Sequence, residues 1–197
     1  MPATSRFTLR SRLGRGILTA LVVAVPAVVG ACGDDPFQIN WVSSPDTVLI
    51  YSLARPELNL AAGFDFHDGE LVRVEGPQST GSWDLAVDTR GGEMVFLPPG
   101  ALGVSSRARI TTLPGMSFLE VTEAPSDTLV YVADEAVPIR MGTIYVVRTG
   151  RSAGVFSSSC VYYAKLEPLV IDPEGGTLSF VFEDSPVCNS LRLIPPD

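Results

Sequence analysis

The stretch TLSFVFE, residues 177–183, decides the fold class of this protein. Every second residue from Leu178 is apolar, so Leu178, Phe180 and Phe182 share one face of an extended chain. The preceding PEGG, residues 173–176, has the composition of a hairpin turn between this run and the apolar run before it. The pattern predicts an antiparallel β-hairpin.

Similar short runs, separated by Gly, Pro and Asp, recur along the rest of the sequence. No segment has a helical period over ten or more residues, and the 197 residues include 18 glycines and 16 prolines. We therefore predict a single all-β domain of antiparallel strands over residues 48–197, either a sandwich or a strongly curved sheet. The candidate strands are residues 48–53, 63–66, 71–75, 83–88, 93–97, 107–112, 118–122, 128–133, 143–149, 161–167, 177–183 and 190–194.

Residues 1–31 have the organisation of an export signal. Four arginines and no acidic residue come before an apolar run from Ile17 to Val29, which is too short for a membrane span of about 20 residues. The run leads into Val29-Gly30-Ala31-Cys32, which resembles a bacterial lipobox. That resemblance implies cleavage before Cys32, lipidation of Cys32 and attachment of the mature chain to a membrane by its acyl chains.

Residues 32–47 contain two prolines and are predicted to form a lipidated tether. Gly33 stands where, in the enterobacterial sorting pattern, an aspartate would retain a lipoprotein in the inner membrane. The predicted location is therefore the bacterial cell envelope, at the outer membrane, with the domain facing the periplasm or the cell surface. The alternative is an ordinary secreted protein in which Cys32 has no such role.

Charge limits the partners of the mature chain. Removal of residues 1–31 leaves ten basic and 22 acidic side chains, a formal charge of −12. This composition predicts no basic patch, which argues against nucleic acid as a partner and against direct binding of anionic lipid headgroups. Contact with the membrane is expected through the lipid anchor.

Two cysteines remain if Cys32 is lipidated. An exported protein with Cys160 and Cys188 is expected to join them in a disulfide. A zinc site is the alternative, but two cysteines and one histidine without close spacing make a poor zinc ligand set.

Catalytic motifs are not apparent in the sequence. It contains no phosphate-cradling glycine motif, and nothing marks any pair of its 22 acidic residues as buried. His67, the one histidine, lies in a predicted hairpin turn and is interpreted as exposed. We therefore predict that the protein is not an enzyme.

The order of several motifs carries a family resemblance. The sequence runs through FDFHDGELV, GSWDLAVDTRGG, RITTLPGMSFLEVTEAPSD, YVVRTG and YYAKLEPLVIDPEGGTLSFVFE. This order resembles the HmuY-type haem-binding lipoproteins, the haemophore family, over roughly residues 50–183. The resemblance implies a single all-β domain whose strands and loops clasp a porphyrin. In that family two axial side chains hold the haem iron, histidines in some members and methionines in others.

Site residues follow from the resemblance at only a few positions. Its scaffold positions match Trp83, Asp84, Arg148, Ala164 and Lys165. The ligand-bearing interval, about 123–147 here, contains no histidine. An additional segment, RSAGVFSSSC, stands between the fourth and fifth motifs.

Two methionines are the candidate haem ligands. Met141 falls inside the ligand-bearing interval and Met116 lies just before it, and a thioether is a soft axial ligand for haem iron. Ordinary packing in a loop is the alternative for each. The expected function is binding of haem or another small apolar ligand, with an outer-membrane receptor as a candidate partner. The alternative is a non-enzymatic structural or interaction lipoprotein that does not bind haem.

Overall fold

A computed structural model describes residues 39–150, 152–153 and 159–196. The predicted signal peptide, Cys32 and most of the predicted tether lie outside these residues. The described part is all-β, with two five-stranded antiparallel sheets arranged as a β-sandwich, which confirms the predicted fold class. No helix in this part of the chain has the length and apolar character needed to cross a membrane.

Most of the strands follow the sequence-based prediction, and the first begins two residues before the predicted domain start. The order in the first sheet is β1-β12-β11-β8-β6, in the second β3-β2-β4-β5-β7, and β9 and β10 form a separate pair. The strands are β1 (Asp46–Tyr51), β2 (Gly63–Asp65), β3 (Glu70–Val72), β4 (Leu85–Arg90), β5 (Glu93–Leu97), β6 (Arg109–Pro114), β7 (Val137–Pro138), β8 (Thr143–Arg148), β9 (Ser152–Ala153), β10 (Ser159–Cys160), β11 (Tyr163–Asp172) and β12 (Thr177–Asp184), with 3-10 helices at Pro99–Leu102 and Thr128–Val130.

A central core joins the two sheets. Leu178, Phe180 and Phe182 of β12 all enter it, as their alternation predicted. Phe64 lies edge-on to Phe66 and to Phe182, with ring centroids 4.9 Å apart in both pairs. Each such aromatic pair adds about 0.5–1.5 kcal/mol to the stabilisation from burial, so this group of rings fixes how the two sheets pack.

Two further apolar clusters cover the outer faces of the sheets. Because central strands such as β5 and β8 are buried on both faces, their sequences are almost continuously apolar. The outer cluster, on the first sheet, comprises the buried residues Val121, Ala124, Tyr131, Ile144, Val146, Val161, Tyr163 and Leu193. The tryptophan cluster, on the second sheet, comprises the buried residues Trp83, Ala86, Val95 and Leu97.

A buried ion pair lies beside the outer cluster. Lys165 and Glu183 are directly opposite each other on β11 and β12, and their side chains are 1% and 4% exposed. The Lys165 Nζ lies 3.3 Å from Glu183 Oε2, donates to the Val121 carbonyl at 3.2 Å and lies 4.5 Å from the centre of the Phe118 ring. The ammonium group is therefore surrounded by partners that replace water.

The predicted strand at residues 118–122 is wrong. The Ser117 backbone N–H and hydroxyl both donate to Glu120 Oε2 at 2.8 Å, and residues 118–120 form a turn. These local hydrogen bonds satisfy the chain without a neighbouring strand, and side-chain-to-backbone bonds of this kind compete with sheet formation.

The predicted strands at residues 128–133 and 190–194 are also wrong. Asp127 accepts a hydrogen bond from the Leu129 N–H at 2.9 Å and begins a 3-10 helix at Thr128–Val130. The 190–194 segment makes only an isolated bridge, between Arg192 and Glu123. The helix cap at Asp127 accounts for the missing strand at residues 128–133, and the limited pairing accounts for the missing strand at residues 190–194.

The predicted disulfide is confirmed. Cys160 and Cys188 are bonded, with their Cα atoms 5.1 Å apart. Asn189 reinforces the link, since its N–H donates to the Val161 carbonyl at 2.8 Å and its Oδ1 accepts from the Val161 N–H at 3.1 Å. For a sequence separation of 28 residues, the chain-entropy model gives a stabilisation of about 3.5 kcal/mol. The disulfide therefore links β10 firmly to the segment after β12.

Candidate functional site

The two candidate ligands lie at the same end of the β6–β8 pair. Pro114 and Thr143 are the last partners of this ladder, and each methionine stands two residues beyond it. The side chain of Met116 is 39% exposed and that of Met141 is 57% exposed. The fold therefore brings both methionines to one end of the first sheet and leaves both residues partly exposed.

A glycine separates each methionine from the ladder. Gly115 has φ 77° and Gly142 has φ 67°, both in the left-handed region. Glycine adopts this region without the steric cost that a Cβ brings. The backbone can therefore turn tightly at the end of each strand, and each methionine lies in the turn.

Side-chain hydrogen bonds hold both methionine turns. Glu120 accepts the two hydrogen bonds from Ser117 on the Met116 side, and these bonds lower the pKa of the Glu120 carboxyl. On the Met141 side the Tyr145 hydroxyl accepts from the Arg140 N–H and donates to the Pro138 carbonyl, both at 2.8 Å. The two turns are thus braced from within the domain.

The chemistry of this end suits a flat ligand with a soft metal centre and acidic groups. Two accessible thioethers match the donor type that haem iron accepts. Arg140, next to Met141, is a cation held 3.2 Å from Glu93, and both side chains are more than half exposed. Leu119, which is 82% exposed, adds apolar surface close to Met116 in the chain.

His67 does not belong to this site. It lies in the predicted turn but is half-buried, which corrects the expectation of an exposed histidine. Its ring stacks on Tyr162 with the centroids 3.6 Å apart, and its Nδ1 is buried with no hydrogen-bond partner in the part of the chain that the structure describes. Within the described residues, no group of three or more His, Cys, Asp or Glu side chains could hold a metal ion.

Asp84 joins the two sheets and has an unusual environment. Its Oδ2 accepts from the Phe66 N–H at 3.0 Å, after β2, and its Oδ1 accepts from the Gly150 N–H at 2.7 Å, after β8. Burial raises the pKa of this carboxyl to about 7, although the two hydrogen bonds act in the opposite direction. The family resemblance implied a scaffold role for Asp84, and no sequence pattern indicated its burial.

The expectation of no basic patch is wrong at one place. Arg107, Arg109 and Arg148 converge, with Thr128, around a cleft of about 340 Å³. The three arginines come from two segments that are distant in sequence but adjacent in the first sheet. We call this feature the arginine cleft.

Comparison with known proteins adds no relative. A scan of protein-family models and a search of curated proteins found no match to this chain. The case for a function therefore rests on the side chains described above.

Proposed function

We propose that this protein is a non-enzymatic lipoprotein of the bacterial cell envelope whose HmuY-like domain binds haem or a similar flat apolar molecule through Met116 and Met141. The observation that carries this proposal is the matched position of the two methionines. Each is exposed, braced and two residues beyond the same end of the β6–β8 ladder. The lipobox-like sequence ending at Cys32 supports a lipid anchor, and Gly33 supports placement at the outer membrane.

Three features of the described residues would act together in binding. The thioethers of Met116 and Met141 would approach the ligand from two separate turns. Leu119 would cover part of an apolar ring. Arg140 would face acidic groups at the ligand edge, since its present partner Glu93 is solvent-exposed and easily exchanged. Haem, when bound, supplies an iron that takes axial ligands and carboxylates that pair with cations.

Absorption spectroscopy tests the ligand assignment. Titration of haemin into the full-length protein in detergent should give a six-coordinate Soret spectrum at micromolar concentrations. Met116→Ala and Met141→Ala should each abolish that spectrum and weaken binding by about tenfold or more, because each removes one axial donor. Leu58→Ala is the matched control, since it removes an exposed apolar side chain that is not part of the proposed site. An unchanged spectrum in both methionine variants would contradict the assignment.

Metabolic labelling tests the anchor separately. Radiolabelled palmitate should be incorporated into the protein in its native host, and Cys32→Ser should abolish incorporation, because the thiol is the expected attachment point. Cys160→Ser is the matched control and should still be labelled. Equal labelling of the wild-type protein and the Cys32→Ser variant would refute the lipoprotein assignment.

A different surface favours the alternative function, an interaction lipoprotein that does not bind haem. Leu49 on β1 and Val170 on β11 both pair with Ser179 of β12, which places them in one row across the first sheet. Leu49 is 49% exposed, Val170 is 58% exposed, and the neighbouring Leu169 is 43% exposed. An absence of any spectral change with haemin would favour this alternative.

A further inference from the structure

The arginine cleft is distinct from the methionine end. Arg109 and Arg148 are direct partners at one end of the β6–β8 ladder, whereas Pro114 and Thr143 are partners at the other. Five residues along a strand correspond to about 17 Å. The cleft therefore does not depend on the proposed haem site.

The cleft concentrates positive charge, and none of its arginines forms an ion pair with a described residue. Arg109 and Arg148 lie directly opposite each other on neighbouring strands, an arrangement that is unfavourable for like charges. Among the described residues, the arginines in ion pairs are Arg55, Arg90 and Arg140, and none of these lines the cleft. Such a group is unusual in a chain with 22 acidic and 14 basic residues.

Two donors in the cleft are buried and unpaired. The Nε atoms of Arg109 and Arg148 are inaccessible to water and have no hydrogen-bond partner among the described residues. The Arg148 Nη1 donates to the Arg107 carbonyl at 2.9 Å, which holds the Arg148 side chain against the neighbouring segment. These Nε atoms are enclosed by the protein, so an anion in the cleft would be bound by the outer guanidinium nitrogens and not by the Nε atoms.

We propose that the arginine cleft binds a phosphomonoester group carried by a small organic molecule. Three guanidinium groups offer more donors and charge than one carboxylate can use, whereas a phosphomonoester carries close to two negative charges and three acceptor oxygens. Thr128 adds a hydroxyl at the rim. A volume of about 340 Å³ is within the range of small-molecule sites and leaves room for the organic part of the ligand.

The two residues that follow Thr128 in the chain offer apolar surface for that organic part. Leu129 and Val130 follow Thr128 in the 3-10 helix and are 90% and 47% exposed. Exposed apolar side chains beside a basic cleft would suit an apolar group attached to the phosphate. A soluble glycerol phosphate and a phosphatidic acid headgroup share the required chemistry, and they differ in whether acyl chains are present to contact Leu129.

Calorimetric titration of the full-length protein in a non-ionic detergent tests the site with two probes. Glycerol 3-phosphate and dihexanoyl phosphatidic acid should both bind in competition, and Arg109→Gln and Arg148→Gln should each weaken binding by about tenfold or more. Arg73→Gln, which removes an exposed arginine elsewhere, is the matched control and should bind normally. If the lipid binds at least tenfold more tightly than glycerol 3-phosphate, and if Leu129→Ser removes this preference, the natural ligand is a lipid. Equal affinities of the two probes would identify a soluble ligand.

Thermal unfolding separates a lost site from a lost fold. Glycerol 3-phosphate should raise the melting temperature of the wild-type protein and of Arg73→Gln, but not that of Arg109→Gln. Without ligand, Arg109→Gln should melt at or above the wild-type temperature, because it relieves repulsion between like charges. The proposal is overturned if neither probe binds the wild-type protein, or if Arg109→Gln and Arg73→Gln bind equally well.

Discussion

Replacing Lys165 with methionine should lower the free energy of unfolding by about 3–5 kcal/mol, because the change leaves the Glu183 carboxylate buried without its partner. Glu183 is only 4% exposed, and one of its carboxylate oxygens, Oε1, already lacks a hydrogen bond to any described residue. The methionine would fill most of the space of the lysine chain, so the expected loss comes from the uncompensated charge and not from a cavity.

Urea unfolding followed by tryptophan fluorescence measures this loss. The double variant Lys165→Met/Glu183→Leu should recover most of the stability, because replacing both members of a buried pair with apolar residues is often neutral or stabilising. Arg90→Met is the matched control, since it breaks an ion pair whose arginine side chain is 46% exposed and should change the midpoint little. A Lys165→Met protein with wild-type stability would show that the pair contributes nothing.

The second large effect concerns pH. Burial raises the pKa of Asp84 from 3.8 to about 7, so the folded state holds a proton on this carboxyl that the unfolded state has released. The stabilisation from neutral Asp84 is complete below about pH 4 and is lost as the pH rises to about 7. At 1.36 kcal/mol for each pH unit, the change is about 4 kcal/mol.

Comparison with Asp84→Asn isolates this contribution from the other acidic groups. The stability of the wild-type protein relative to Asp84→Asn should fall steadily between pH 4 and pH 7, and level off above that range. The amide also loses one hydrogen bond to a backbone N–H, but that loss is the same at every pH. Asp134→Asn is the control at an exposed position and should show no such fall. A constant difference between the wild-type protein and Asp84→Asn would contradict the raised pKa.

The sequence predicted correctly those features that depend on the residues of a single strand. The alternation in β12 identifies the core-facing Leu178, Phe180 and Phe182 without knowledge of the partner strands. The sequence was misleading where a local hydrogen bond competes with a sheet. Residues 118–122 have an apolar and β-branched composition, but Glu120 closes a turn instead of entering a ladder.

Features that depend on strand register could not be predicted. Lys165 and Glu183 become a pair only because β11 and β12 align them. In the same way Arg109 meets Arg148 through the register of β6 and β8, although overall composition argued against any basic patch. The shared end of Met116 and Met141 has the same origin, since the sequence suggested each methionine separately and the ladder brings them together.

The position of β1 has a mechanical consequence. The chain enters the domain through this strand, which stands at the end of the order in its sheet and pairs with β12 from Asp46 to Tyr51. A tensile load along the strand would strain all six pairings at once, whereas a sideways load would part them one by one, starting at Asp46. The force needed to unfold the domain from its N-terminal side would therefore depend on the direction of pulling. Under a sideways load, separation of β1 from β12 would be the first unfolding step.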